Sequence, residues 1–151
     1  MSVNRWAVRA VVVASAAVCL AACSDGSDAR IPEVAEAESL IARAYDARED
    51  TAALCDLSSS LGNCKALLQG AGTAPTAEPE VVCTQPYEGH DSYTPGLLVR
   101  TVTVDDSGLA VTHDTVAIDT PGGARLMNVV YWEPWGVSDG NTTEDTVEFD
   151  C

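Results

Sequence analysis

A ten-residue stretch, Gly70 to Pro79, divides this chain into two parts of different periodicity. Its composition, Gly-Ala-Gly-Thr-Ala-Pro-Thr-Ala-Glu-Pro, favours neither helix nor strand and reads as a linker. Before it, apolar residues recur at helical spacing. After it, short Val- and Thr-rich runs are separated by turn signals. Helices followed by an antiparallel meander imply an α+β domain.

The first part predicts one long helix and two short ones. Ile31 to Arg48 places Val34, Ala37, Ile41, Ala44 and Tyr45 on one face. Pro32 suits the first turn, Glu33, Glu36 and Glu38 complement the positive end of the dipole, and Arg48 its negative end. Asp50 is a cap for a second helix reaching about Leu57. Ser58 to Gln69 forms a third, capped by Ser58 or Ser59 and stopped by Gly70. Leu54, Leu57, Leu61, Leu67 and Leu68 supply the apolar surface of this region. Gly62 weakens the third helix.

The second part predicts four to five strands: Val81–Thr84, Leu97–Val104, Leu109–Ile118, Leu126–Trp132 and Thr143–Cys151. Turns fall at Asp105–Gly108, Thr120–Gly123 and Asp139–Asn141. In the last strand Val147, Phe149 and Cys151 share one face, and Glu144, Thr146, Glu148 and Asp150 the other. The sheet has one face to bury, and the amphipathic first helix is its natural cover.

Upstream of residue 31 lies a different signal. Arg5 and Arg9 precede an apolar run from Ala10 to Leu20, and Ala21-Ala22 lead into Cys23. A basic start, a short apolar run and small residues form a secretory signal. The run has 11 residues, too few for a helix that needs about 20 to span a bilayer. Leu20-Ala21-Ala22-Cys23 resembles the lipobox of bacterial lipoproteins, which implies cleavage before Cys23 and a diacylglycerol thioether on its sulfur. Each buried CH₂ adds about 0.8 kcal/mol, so two acyl chains would hold the membrane firmly. The domain plan is then 1–22 signal peptide, 23–30 flexible polar tether, and 31–151 one domain. The resemblance places that domain on the extracytoplasmic face of the cell membrane.

All 23 acidic residues lie beyond the signal, while six of the eight basic ones remain, giving the mature chain a formal charge of −17. Nucleic acid and anionic lipid headgroups are therefore disfavoured as partners, since both demand a basic patch. The acidity suits solubility in the envelope. With Cys19 lost and Cys23 lipidated, Cys55, Cys64, Cys83 and Cys151 remain. An even number in an exported chain argues for disulfides, with three possible connectivities. The expected pairing is Cys55–Cys64, between the short helices, and Cys83–Cys151, clamping the first strand to the chain end. A zinc site is the alternative, but no C-x-x-C or H-x₃-H spacing supports it, and no metal or cofactor signature is present.

The element order, Ala42 to Arg48 in the first helix and the cysteine placement resemble small bacterial lipoproteins with a nuclear transport factor 2-like, cystatin-like domain, over residues 31 to 151. That resemblance implies a long helix wrapped by a curved, cone-like antiparallel sheet. The Gln-x-Val-x-Gly loop of cystatin-type inhibitors is absent, so protease inhibition does not carry over. Cone-fold isomerases use a carboxylate base with an oxyanion-stabilising tyrosine and a protonated acid. Tyr45, Tyr131, Asp114 and Asp119 are the plausible occupants here, and none maps onto that motif.

No catalytic residue is assigned. His90-Asp91-Ser92-Tyr93 carries suitable residue types in a polar loop between Gly89 and Pro95. His113 and Asp114 are strand neighbours that face opposite sides, one pairing locally and the other a surface aspartate. Asp139 to Asp145 offers oxygens without the ligand spacing of an EF-hand. Asn141-Thr142-Thr143 matches a glycosylation acceptor, discounted because a lipobox implies bacteria. The segment Tyr131-Trp132-Glu133-Pro134-Trp135 is the strongest candidate site. Tyr131, Trp132 and Trp135 could form an aromatic wall for a small apolar ligand or an envelope protein partner. The alternatives are core packing, an acid–base enzyme of cone type, or a purely structural envelope component.

Overall fold

The structure is a computed structural model that describes residues 30–89, 94–137 and 146–150. It is an α+β arrangement: helices α1 (Val34–Asp46), α2 (Thr51–Asp56) and α3 (Leu61–Gly70) pack with a four-stranded antiparallel sheet. Its strands β1 (Glu80–Tyr87), β2 (Gly96–Val104), β3 (Ala110–Ile118) and β4 (Arg125–Leu126) lie in sequence order.

Helix α1 starts later than its periodicity suggests. Glu33 stays extended as the N-cap, and its N–H donates to the Glu36 side chain at 2.9 Å, leaving Pro32 outside the helix. The buried stripe is Ala37, Leu40, Ile41 and Ala44. Val34, expected on that stripe, is exposed, and Leu40 takes its share. At the far end Arg48 Nη1 donates to the Tyr45 carbonyl at 2.8 Å and its guanidinium lies 4.2 Å above the Tyr45 ring. Arg48 thus binds the Tyr45 carbonyl at the helix terminus through both its backbone N–H and its guanidinium.

Helix α2 is capped by Asp50, whose carboxylate accepts from the N–H groups of Ala52 and Ala53. Helix α3 is capped by Ser60 rather than by Ser58 or Ser59. The cause is a tertiary contact: Leu126 N–H donates to Leu57 O and Ser59 N–H to Leu126 O, so residues 57–59 are held against β4 and the helix starts beyond them. Cys64 alone of α3 is buried, and Leu61, expected to be apolar cover, is exposed. The Cys55–Cys64 disulfide joins α2 to α3 across a Cα–Cα distance of 5.5 Å. Cys83 is also disulfide-bonded, and its expected partner Cys151 lies outside the described residues.

The linker is stitched down along its length. Tyr45 OH donates to Thr76 O, Thr103 Oγ1 to Ala77 O, and Gly72 accepts from the Trp132 indole while donating to the Glu133 carboxylate. Strand β1 then runs through Pro86, which an edge strand tolerates because one side of its ladder is unpaired. It is longer than the expected Val81–Thr84 and carries a bulge between Val81 and Cys83. Gly96 lies so close to β3 that a Cβ there would collide with the Ala117 carbonyl and the Val116 side chain. Asp105 accepts from the N–H groups of Ser107 and Leu109 and closes the β2–β3 turn, with Gly108 at φ 85°.

The expected strand Leu126–Trp132 is largely absent. β4 stops at Leu126: Met127 N–H still donates to Val116 O, but the rung beyond it belongs to a side chain. Thr115 Oγ1 donates to Asn128 O at 2.9 Å and accepts from Asn128 N at 3.0 Å, while Asn128 Oδ1 accepts from Val130 N. The chain leaves the ladder and buries Val129, Val130 and Tyr131 consecutively, without strand alternation. It returns at Trp135, whose carbonyl accepts from Asp114 N beside a parallel bridge to His113.

Both faces of the sheet are covered, not one. Leu97, Val99 and Ala117 face the helices and join the core of Leu40, Ile41, Leu54 and Leu126. Leu98 and Val116 on the other face are covered by Tyr87, Val137, Val147 and Phe149. Residues 146–150 show the expected alternation, with Val147 and Phe149 half-buried between exposed Thr146, Glu148 and Asp150. They are held by Val137 and by Gln85 rather than by a regular ladder. Residues 143–145 and 151 of that expected strand lie outside the described residues.

With one buried residue, α3 depends on its cross-link. Replacing Cys55 and Cys64 together by Ala is expected to cost about 2–3 kcal/mol in denaturant unfolding. Hydrogen exchange should accelerate first in α3 and least in β2 and β3.

Candidate functional site

The departure of residues 127–135 from the sheet leaves a cleft of about 460 Å³ between α3 and the β3 edge. Asn63, Ala66 and Leu67 form its helical wall; Thr115 and Asn128 form its floor. Met127, Trp135, Gly136 and Val137 form the opposite wall. None of these side chains titrates. Trp135 is 44% exposed, so part of its ring is open to solvent at the cleft it lines. The carboxamide of Asn128, which lines the cleft, is oriented by the neighbouring backbone: Oδ1 accepts from Val130 N at 2.9 Å.

The three expected wall residues do not share this cleft. Tyr131 is a core residue stacked edge-on against Trp132, with ring centroids 5.1 Å apart. Among the described residues its buried hydroxyl has no hydrogen-bond partner, and burial pushes its pKa up to about 12. Trp132 is buried and faces a separate surface cleft between the linker and the β2–β3 turn. Only Trp135 lines the cleft at α3. Asn63, Thr115, Met127 and Asn128 were not anticipated there. The one signal for them was Asn128, a polar interruption of the apolar run Leu126 to Val130.

The acid–base candidates are dispersed. Asp114 is not a surface aspartate: its side chain is 6% exposed and forms a bidentate pair with Arg100, at 2.8 and 2.9 Å. That pair holds the guanidinium above its ordinary pKa, and the Phe149 ring covers it at 4.1 Å. Asp119 lies 3.5 Å from Arg30 at the surface. Tyr45 is spent on Thr76. His113 faces the helices, opposite to Asp114, and lies 2.9 Å from the Glu133 carbonyl through Nδ1, so Nδ1–H donates. Among the described residues no group of three or more His, Cys, Asp or Glu is placed to hold a metal, and no helix is long and apolar enough to cross a membrane. Cys23, His90 to Tyr93, Asp139 to Asp145 and the Asn141 motif lie outside the described residues.

No protein-family model, curated protein or solved structure matches this chain, so the site is read from its geometry.

His113 is fully buried, and burial lowers its pKa. The unfolded chain therefore binds this proton at a higher pH than the native one. Stability is complete above the unfolded value of about 6.5 and falls as pH drops below it, until the native pKa is passed. Urea midpoints between pH 7.5 and 5 should decline for the unaltered protein and decline less for His113→Gln.

Proposed function

We propose that this chain is a lipid-anchored, extracytoplasmic binding protein whose ligand site is the cleft between α3 and Trp135. The observation that carries this reading is Trp135 itself: a half-exposed indole over an apolar recess floored by two buried polar residues. A recess of this size with few polar groups suits a small apolar ligand. Leu20-Ala21-Ala22-Cys23 supports the anchor, and residues 24–30 would let the domain stand off the bilayer. The mature charge of −17 supports the same picture, since lipid rather than charge must then hold the membrane. The order of three helices followed by a meander is compatible with a cone-like domain of the nuclear transport factor 2 and cystatin type.

The enzyme reading asks for a carboxylate in an apolar pocket. The buried carboxylate described, Asp114, is neutralised by Arg100 on the sheet face away from the cleft. Binding is therefore favoured over acid–base chemistry, and a ligand titration separates it from a purely structural role.

Mass spectrometry of the membrane fraction should find Cys23 as a diacylated N-terminus, and Cys23→Ala should abolish that species. An unmodified Cys23 in membrane-associated protein would overturn the anchor. In the purified protein, neutral N-phenyl-1-naphthylamine should quench tryptophan fluorescence saturably, and Trp135→Ala should remove most of that quenching. Quenching without saturation would leave the structural role standing.

A further inference from the structure

We infer that the cleft selects an uncharged, largely apolar ligand carrying a hydrogen-bond acceptor of carbonyl type, held by the amide nitrogen of Asn128. This rests on the cleft being the ligand site. Asn128 is 3% exposed and lines the cleft. Its Oδ1 accepts from Val130 N at 2.9 Å, which fixes the orientation of the carboxamide, because a nitrogen there could not accept. Its backbone N–H and carbonyl are both satisfied by Thr115 Oγ1. The Nδ2 group therefore retains two donor hydrogens, and no described residue accepts from it. An acceptor entering the cleft would meet that donor in largely apolar surroundings, where a hydrogen bond counts for more than in water.

The floor beside it offers no competing chemistry. The Thr115 hydroxyl hydrogen is committed to Asn128 O, so Thr115 adds no second donor for an anion. Among the described residues no Lys, Arg or His lines the cleft, and the mature chain carries a formal charge of −17. A carboxylate or phosphate would lose its hydration there without gaining a cation. Leu67, Met127 and Val137 supply the apolar walls, and Trp135 a flat face for a ring or an extended hydrocarbon. The arrangement is thus one donor fixed in orientation on the floor, Asn128 Nδ2, with the Asn63 carboxamide on the helical wall, in an otherwise largely apolar recess.

The test varies the ligand before the protein. Three probes are titrated into the full lipidated protein in lipid nanodiscs, read by tryptophan quenching against empty nanodiscs. They are 6-propionyl-2-dimethylaminonaphthalene, the same molecule with its carbonyl reduced to methylene, and the naphthalene with a carboxylate in place of the ketone. The ketone should bind about five- to tenfold tighter than the methylene compound, although the latter is more apolar. The carboxylate should not saturate at tenfold the ketone's dissociation constant. Asn128→Asp keeps the acceptor for Val130 N and removes the donor, so it should bring the ketone-to-methylene affinity ratio down to about one. Equal affinity for ketone and methylene in the unaltered protein overturns the inference and leaves the cleft a binding site. Carboxylate binding as tight as the ketone's overturns its selectivity for neutral molecules. Failure of all three probes to saturate overturns the binding reading of the cleft as well. Because the ketone–methylene comparison needs no variant, misfolding of Asn128→Asp cannot rescue or sink it.

Discussion

A threonine hydroxyl takes the place of backbone in the ladder at the edge of β3, and most of the second half of the chain follows from that exchange. Thr115 Oγ1 binds both the N–H and the carbonyl of Asn128, the two groups that would otherwise extend β4. Side-chain hydrogen bonds of this sort compete with regular structure because they satisfy the backbone without continuing it. Freed from the ladder, residues 129–131 turn inward and bury three side chains in succession. The two valines and Tyr131 extend the core, at about 1.5–3 kcal/mol for each large apolar side chain fully buried. The edge of β3 regains a partner only at Trp135. The cleft is the space enclosed by that detour, and its floor is the Thr115–Asn128 pair itself.

The other sheet face carries the electrostatic counterpart. Arg100 and Asp114 stand opposite one another on β2 and β3, so their bidentate pair spans the central hairpin directly. A charge pair at such a position is stable only if each partner stays satisfied, because removing one strands the other in a poorly solvated site. Phe149 lies over the guanidinium, and Gln85 fixes the backbone of residues 148 and 150. The C-terminal segment therefore serves as a cover for an ion pair as well as for Leu98 and Val116. This explains why a sheet expected to be wet on one side is closed on both. It also keeps the one well-buried acid away from the cleft.

Legibility in the sequence followed the range of the interactions. The helix periods, Asp50 as a cap and the turns at Asp105–Gly108 and Thr120–Gly123 are set by neighbours a few residues apart, and each appears in the structure. The late starts of α1 and α3 were less legible. The first depends on Glu36 reaching back to Glu33, which the spacing permits; the second depends on β4 gripping residues 57–59, which no local pattern records. The loss of the strand at 126–132 has the same origin, since Val, Val and Tyr have high strand propensity and were overridden by tertiary bonds to Thr115. The pair Cys55–Cys64 was legible from spacing. The composition of the cleft was not, since Asn63 and Thr115 approach Asn128 only through the fold.

The same detour ties the linker to the site. Trp132 and Glu133, on the buried return toward Trp135, hold Gly72 by a donor and an acceptor in opposite senses. Gly72 follows directly on α3, the helical wall of the cleft. One wall is thus fastened at its start by Cys64 to α2, and beyond its end by the segment that carries the opposite wall. Between those two points α3 buries little, so its attachments rather than its packing set the width of the cleft. The covalent bond and the two Gly72 hydrogen bonds therefore fix α3 at both ends, against α2 and against the segment that carries the opposite wall.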